Sequence, residues 1–378
     1  MKKYIIILTI ISATLLAGCQ DFLKEAPVDR FVGDNFYKST ADAEAGVYGV
    51  YQILYNIYRR NILLLNDLPA DDHKNGIGMP NQFLVDLEFL RHTAENTFVR
   101  DNWRNHYSGI QRANTVIANI SKMSIPEVTK KRLIAEASFL RALYYFNLVR
   151  FHGDVPLSLG IESIQDALIP RTPKADVYAQ IIKDLKLAET DLPKTVDAAN
   201  QGRATAGAAK VLLGKVYLTQ KSFQAAADKL AEVVNNEGQY NYGLHPKFSD
   251  NWTEATENGR ESVFTIELME SPGTSNSQMA LQGPKFSVPG GAVPGYIGCN
   301  EADIPTVDLC NSFEPGDTRK NVTIKTDFLS PKTGKIVVAS IPLFAKYWQE
   351  GLLATGQCNI NMHILRYADA LLMYAEAM

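Results

Sequence analysis

The densest group of ionisable side chains in the sequence is the stretch "NDLPADDHKNG", from Asn66 to Gly76. Two adjacent carboxylates, Asp71 and Asp72, are followed directly by His73. Carboxylates and an imidazole can bind a metal ion, hydrolyse a glycoside or hydrogen-bond to ligand hydroxyls. The stretch lacks the alternating acidic residues of an EF-hand loop, and neighbours in sequence do not define the spaced carboxyl pair of a glycosidase. A solvated loop is the alternative to a ligand contact.

No catalytic motif accompanies this stretch. The sequence contains no HExxH, GxSxG or phosphate-loop pattern, and Gly214-Lys215 lies within a helical pattern at the wrong spacing. The histidines form no i, i+4 pair, and His152 at a helix end is interpreted as a capping or packing residue. Cysteine spacing shows no CxxC or CxxH pair. The sequence therefore predicts a binding protein rather than an enzyme, with no cofactor and no metal site.

Cys19 indicates a different kind of chemistry. A basic start and a short apolar run precede it, which is the layout of a signal peptide and is too short for a comfortable membrane span of about 20 residues. Leu16-Ala17-Gly18-Cys19 looks like a bacterial lipobox, which predicts cleavage after residue 18 and acylation of the Cys19 thiol, for example with palmitate. An ordinary signal peptide with a chance cysteine is the alternative. Acyl chains contribute about 0.8 kcal/mol per buried methylene, so a lipidated Cys19 would anchor the chain to a membrane.

Three further cysteines, Cys299, Cys310 and Cys358, follow in the mature sequence. An odd number in an oxidising compartment predicts at least one free thiol. Cys299 and Cys310 are close enough in sequence to bridge a loop, but nothing in the sequence defines their geometry, so this disulfide stays open.

Composition excludes a disordered chain and a general nucleic-acid binder. The sequence is 46% hydrophobic and 21% charged, with a formal net charge of -3, which is ordinary for a globular protein. The roughly 360 residues after the signal peptide exceed one typical core and predict two lobes or a repeat array.

The elements that must position any ligand contacts are mainly helices. From Ser124 to Phe151, apolar residues recur at three- and four-residue steps, which predicts one buried helix face. Ser124 and Glu127 have the spacing of a capping box, and Thr172-Pro173 predicts the start of the next helix.

A tetratricopeptide-like pattern follows. Leu213-Gly214-x-x-Tyr217 and Ala226 have the spacing of a helix pair in which a small residue lets the helices approach. Three further stretches have helical patterns: "ADAEAGVYGVYQILY", "NHYSGIQRANTVIANI" and "RYADALLMYAEAM". Because each repeat needs neighbours to cover its apolar face, these helices predict an all-α, solenoid-like scaffold that presents loops on one side.

The region from about residue 241 to 340 differs from the helical part. Glycine and proline cluster there, and "ESVFTIEL" and "KIVVASIPLF" have the composition of short strands. We expect a loop-rich insertion with short β-strands on the helical scaffold. Loops held by rigid helices often carry binding groups, although each aromatic residue there could simply pack its own loop.

The order of these motifs resembles the SusD/RagB family of outer-membrane nutrient-binding surface lipoproteins over nearly the whole chain. The motifs that carry the resemblance are "CQDFLKEAPVDRF", "ADAEAGVYGVYQIL", "WRNHYSGIQRANTVIANI", "AEASFLRALYYFNLVRFHGDVPL", "RTPKADVYAQIIKDLKLAETDLP", "GRATAGAAKVLLGKVYL", "ESVFTIEL", "DLCNSFEPGDTRK" and "LRYADALLMYAEA".

The resemblance implies a tetratricopeptide-like helical fold, lipid-anchored in the outer membrane and facing the cell surface. It implies a loop face that captures an oligosaccharide for uptake through a SusC-like TonB-dependent transporter. The expected organisation is a signal peptide (1–18), a helical-repeat domain (19–240) and a loop-rich C-terminal region with a final repeat helix (241–378). Family members usually continue past that helix, so the resemblance also implies that this last region is incomplete.

For the site, the resemblance implies sugar recognition by an aromatic platform together with carboxylate and amide groups. Trp252 or Tyr296 is the expected platform. The expected polar contacts are Asp71, Asp72, His73, Asn276 and Gln278. Two alternatives stay open, namely a family member that binds peptide or another nutrient, and a helical-repeat adaptor that binds protein partners without a small ligand.

Overall fold

The computed structural model of the protein describes residues 36–76, 78–160, 168–269, 275–285, 299–330, 333–349 and 356–378. Helices dominate these residues, which confirms the predicted fold class. The helices are α1 (Thr40–Asn56), α2 (Ile62–Asp67), α3 (Gln82–Glu88), α4 (Thr97–Ile120), α5 (Glu127–His152), α6 (Lys174–Asp191), α7 (Ala206–Thr219), α8 (Phe223–Val234), α9 (Glu237–Tyr240), α10 (Gln278–Gln282), α11 (Val307–Ser312), α12 (Arg319–Thr323) and α13 (Tyr367–Ala377). A π-helical turn, Ile57–Asn61, joins α1 to α2.

Two of the predicted helix starts are wrong in detail. Helix α5 begins at Glu127 after Pro126 and has no side-chain cap, so Ser124 forms no capping box. Helix α6 begins at Lys174. The Asp154 carboxylate accepts the hydrogen bond of the Lys174 amide at 2.8 Å, and Thr172 pairs with Val155 in an isolated β-bridge instead. In both helices proline occupies the N-cap position, where its ring fixes φ and no side chain caps the helix.

Helix α5 is the centre of the scaffold. Its residues from Leu133 to Val149 are buried on nearly every side, except for the partly buried Ile134. The sequence predicted one buried face on this helix, whereas nearly every side of it is buried. Helices α1, α4, α6 and α7 pack around α5, and a helix that is covered all round belongs to the core rather than to the surface.

The tetratricopeptide-like pair is confirmed in α7 and α8. A Cβ atom at Gly214 would lie 2.6 Å from Cγ of Leu230, so only glycine permits this approach of the two helices. Ala226 and Ala227 of α8 pack with Ala377 of α13, and Tyr217 covers them. The final helix therefore completes the packing of this hairpin.

Six short strands form three two-stranded antiparallel sheets within the described ranges. The strands are β1 (His73–Lys74), β2 (Ser262–Ile266), β3 (Ile304–Pro305), β4 (Ile324–Leu329), β5 (Ile336–Phe344) and β6 (Met362–Arg366). β1 pairs with β3, β2 with β6 and β4 with β5. The strands predicted at "ESVFTIEL" and "KIVVASIPLF" are confirmed as β2 and β5.

The region after residue 240 has an apolar cluster of its own and also joins the main core. Phe264 on β2 packs edge-on against Phe139 of α5 at 4.9 Å between ring centroids. A second cluster includes Met279, Phe328 and Leu343. Strand β2 thus packs the region after residue 240 against the helical scaffold.

The three cysteines that the structure describes form no disulfide with one another. Cys299 and Cys358 are buried in the second apolar cluster, and Cys310 lies on α11. A Cys299–Cys310 disulfide is therefore not formed, and Cys19 lies outside the described residues. Among the helices described, none has the length and apolar character needed to cross a membrane.

A candidate ligand-binding cleft

A cavity of about 390 Å³ lies between the helical scaffold and the strand region. Helices α2, α5 and α7 contribute Asp67, Arg150 and Lys215 to its lining. On the other side, α10 contributes Gln278 and β5 contributes Phe344. We call this the inner cavity.

An outer cavity of about 510 Å³ lies next to it. His73, Phe344 and Lys346 line both cavities, and Asp72 and Arg319 line the outer one. We use "the cleft" for the two cavities together. Because three residues line both cavities, one extended ligand could contact groups in each.

His73 is fixed at the boundary between the two cavities. Strand β1 holds it opposite Pro305 of β3. Its Nδ1 lies 2.6 Å from Oδ1 of Asp303, and the amide of Gln282 donates to the other Asp303 oxygen at 2.7 Å. The imidazole also stacks on Phe344 at 4.4 Å between ring centroids. These contacts hold the ring in one orientation and direct Nε2 away from Asp303.

Burial and neighbouring charges shift the pKa values of the ionisable groups around His73. Burial, reinforced by the negative charge of Asp303, raises the pKa of Asp67 to about 7. Burial disfavours a charged His73, but the hydrogen bond and charge of Asp303 outweigh it, so the pKa of His73 is raised. Burial lowers the pKa of Lys346. Of these three groups, Asp67 has a pKa near neutral.

Asp67, His73 and Asp303 are also the residues that could hold a divalent cation, since one ligand atom from each lies within 4.8 Å of the others. His73 Nδ1 already bonds to Asp303, so these two groups are paired without a metal ion. The sequence analysis predicted no metal site and did not anticipate this grouping, because Asp303 is 230 positions from His73.

Changing Asp67 to asparagine is expected to stabilise the protein at pH 8 and to leave its stability nearly unchanged at pH 4. The folded-state pKa of Asp67 is about 7, above the value of about 3.9 in an unfolded chain. The contribution of Asp67 to stability is therefore fully present below pH 4. It is lost as the pH rises from 4 through 7, because the carboxyl group ionises more easily in the unfolded chain than in the buried site. Asparagine avoids that ionisation.

Thermal unfolding of Asp67→Asn and wild type at both pH values, in EDTA, measures this effect. Asp71→Asn is the matched control, because Asp71 is an exposed neighbour. An equal change in melting temperature at pH 4 and pH 8 would contradict the assignment.

The aromatic part of the cleft is built around Trp252, at the end of a 3₁₀ segment. The Lys346 ammonium lies 5.2 Å from its ring centroid, and Tyr347 and His363 meet its ring edge-on at 5.4 and 5.5 Å. Its indole nitrogen is buried and has no hydrogen-bond acceptor among the described residues. Within the described part of the chain, this N–H is therefore an unpaired donor beside the inner cavity.

Several residues predicted from the sequence meet in the cleft. His73, Trp252 and Gln278 line the inner cavity, and Asp72 lines the outer one. Asp71 is exposed beside them, and its carbonyl accepts a hydrogen bond from Thr306 at 3.2 Å. The solenoid and the strands thus bring residues from distant parts of the chain together.

Asn276 has a different environment. It is fully buried; its Oδ1 accepts from the Gln278 amide at 2.9 Å, and its Nδ2 donates to the Ile360 carbonyl at 2.7 Å. Its side chain therefore orders the backbone next to the cleft and presents no surface to a ligand. Tyr296 lies outside the described residues.

Sequence reasoning missed the lining residues Asp67, Phe344 and Lys346, and also Asp303, which bonds to the lining residue His73. Asp67 lies inside the acidic stretch that the sequence analysis singled out. Lys346 begins a Lys-Tyr-Trp run directly after a predicted strand, a mixture of charge and aromatic rings that could have indicated a site. Asp303 had no such signal.

Comparisons with known proteins all find SusD-like proteins. A family model described as SusD-like, starch-binding and associating with the outer membrane matches residues 21–218. SusD-like protein P2 of Formosa agariphila is 30% identical over 399 residues, which cover 100% of this chain and 78% of that protein.

Solved structures are similar over most of the chain. A laminarin-binding SusD-like protein superposes with a TM-score of 0.79 at 26% identity, covering 90% of this chain and 80% of that one. A protein crystallised with a xylogluco-oligosaccharide superposes with a TM-score of 0.72 at 25% identity, covering 89% of this chain and 70% of that one.

Proposed function

Because the chain belongs to the SusD-like family of starch-binding proteins that associate with the outer membrane, we propose that it binds an oligosaccharide in the cleft. Proteins of this family bind glycans and are not enzymes, which confirms the prediction of a binding protein. The relatives that bind laminarin or a xylogluco-oligosaccharide support a glycan ligand for this chain.

The observation that carries the proposal is the mixture of groups in the cleft. Sugar rings offer an apolar CH face and a rim of hydroxyls, so a sugar site needs aromatic surface together with donors and acceptors. Trp252 and Phe344 supply the aromatic surface, while Gln278, His73 and Lys346 supply polar groups. Peptide capture would depend on exposed backbone donors, whereas the groups named here are side chains.

We also propose the cellular setting that the family and the signal sequence support. Cys19 is acylated and holds the protein in the outer membrane, with the cleft facing the cell surface. The bound oligosaccharide then passes to a SusC-like TonB-dependent transporter for nutrient uptake. Co-purification of the tagged protein with a large outer-membrane barrel tests the partner, and loss of membrane association in Cys19→Ala tests the anchor.

Changing Trp252 to alanine is expected to weaken oligosaccharide binding by about tenfold or more, equivalent to roughly 1.4 kcal/mol. The change removes the indole ring from the lining of the inner cavity, together with its buried N–H. Isothermal titration calorimetry with maltohexaose, laminarihexaose and a xylogluco-oligosaccharide measures the effect.

Phe223→Ala is the matched control, because Phe223 is an aromatic residue that is 47% exposed on α8 and lines neither cavity. Far-UV circular dichroism verifies that both variants fold. If Trp252→Ala folds and binds all three sugars as tightly as Phe223→Ala, the cleft is not the binding site.

A further inference from the structure

A second concave surface lies along helix α1. Tyr48, Tyr51 and Tyr55 line a groove of about 430 Å³, which we call the tyrosine groove. Its opposite wall is formed by the loop at Gly202 and by strand β2 with Glu267. No lining residue is shared with the cleft. The groove is therefore a separate surface on the same protein.

Two of the tyrosines are fixed by their hydroxyl groups. The Tyr51 hydroxyl donates to Oε2 of Glu136 at 3.0 Å and accepts from the Ala204 amide at 2.8 Å. The Tyr48 hydroxyl accepts from Arg203 at 3.0 Å, and the Arg203 guanidinium lies 5.0 Å from the Tyr48 ring centroid. Tyr48 is nevertheless 51% exposed. An aromatic ring that is held in place and still exposed offers a surface that is ordered before a ligand arrives.

Tyr55 is held in the same way. Its hydroxyl accepts from Arg59 at 2.8 Å, and the Arg59 guanidinium lies 5.3 Å from its ring centroid. Arg59 is itself fixed by a bond of 3.1 Å to the Ser277 hydroxyl. The tyrosine at each end of this row, Tyr48 and Tyr55, is thus bound through its hydroxyl by an arginine.

The charged side chains at the groove are bonded to other groups of the protein. Arg203 pairs with Glu136 and with Glu44, each at 2.8 Å. Glu267 accepts from the side-chain amides of Asn258 and Asn361 at 3.0 and 2.9 Å. Arg203 is thus matched by carboxylates, whereas Glu267 is bonded by uncharged groups and leaves a negative charge at the groove. That charge disfavours an anionic ligand.

The polar groups left at the rim are uncharged amides. Gln52, Asn56 and Gln201 line the groove with exposed side chains. Side-chain amides both donate and accept, which suits the paired donor and acceptor character of sugar hydroxyls. A row of aromatic faces with an amide rim and one carboxylate is therefore better matched to an uncharged sugar than to a uronic acid.

We propose that the tyrosine groove is a second carbohydrate-binding site, which takes a neutral pyranose unit. Its volume lies within the range of small-molecule pockets, about 300–1,000 Å³. This inference goes beyond the proposed function, because it does not depend on ligand binding in the cleft. Two sites on one chain would let a long glycan be held at two points, which raises its apparent affinity without any new contact.

The test is isothermal titration calorimetry of the purified protein with maltohexaose, laminarihexaose and a xylogluco-oligosaccharide. We compare wild type, Tyr48→Ala, Trp252→Ala and the control Phe223→Ala. Wild type is expected to bind at two sites, and Tyr48→Ala is expected to weaken one of them by about tenfold, through loss of ring stacking. Resonances of ¹³C-labelled tyrosine rings in wild type give a readout that does not depend on the folding of a variant.

The outcomes separate the two proposals. If binding is lost in Trp252→Ala, Tyr48→Ala binds like the control and no tyrosine resonance of the groove moves, the second site is overturned and the cleft stands. If Tyr48→Ala alone loses binding, the groove stands and the cleft proposal fails. If none of the three sugars binds, the carbohydrate assignment of the groove is overturned.

Discussion

Replacing Asp184 by alanine is expected to lower the free energy of unfolding by about 3–5 kcal/mol, the usual cost of breaking a buried ion pair. Asp184 on α6 receives two hydrogen bonds from Arg141 on α5, at 2.8 and 2.7 Å. The two side chains are only 4% and 9% exposed. Without Asp184 the guanidinium stays buried with one remaining side-chain acceptor, Asn114 at 2.8 Å. The loss should therefore weaken the contact between the central helix and its neighbour.

Urea unfolding at neutral pH measures this change. Asp101→Ala is the control, because Asp101 pairs with Arg100 at 3.4 Å while both side chains are largely exposed, and exposed pairs contribute little. An Asp184→Ala protein as stable as Asp101→Ala would show that the buried pair is not a major contact.

Replacing Glu136 by alanine is expected to have an effect of similar size, about 3–5 kcal/mol. The Glu136 side chain is 2% exposed and accepts hydrogen bonds from Arg132 at 2.6 Å, from Arg203 at 2.9 and 2.8 Å, and from Tyr51 at 3.0 Å. Its removal leaves two guanidinium groups with fewer partners. It should also loosen Arg203, which holds Tyr48 in the tyrosine groove.

A double-mutant cycle of Glu136→Ala and Arg203→Ala, followed by urea unfolding, isolates the interaction between the two residues. The single changes should each be costly, and the double change should cost clearly less than their sum. Glu127→Ala is the control for losing a carboxylate on α5, because its side chain is exposed. Strictly additive effects in the cycle would rule out this coupling.

The helices could be predicted from the sequence because their causes are local. Periodic apolar residues identified α1, α4, α5, α6 and α13, and the glycine–tyrosine spacing identified the α7–α8 pair. The starts of α5 and α6 could not be predicted in detail. Where proline sets the backbone, a nearby serine or threonine has no need to cap the helix.

The cleft was predictable only in part, because its cause is not local. Asp72, His73, Trp252 and Gln278 have residue types suited to ligands and were recognised for that reason. Asp303 is brought to His73 by the pairing of β3 with β1, which no local sequence pattern indicates. Asn276 has a suitable type, but its amide is bonded to the protein's own backbone, and no sequence pattern separates these two uses of an asparagine.

The pairing of strands distant in sequence has a consequence for how the protein folds. The His73–Asp303 contact joins residues 230 positions apart, and the Arg366–Glu261 ion pair beside β2 and β6 joins residues 105 positions apart. Closing such long chain segments is slow compared with forming neighbouring helices. We therefore expect the helical scaffold to form early and the cleft to be completed late, when β3 and β6 pair with β1 and β2. The cleft is thus the part of the molecule whose formation needs segments from both ends of the described chain.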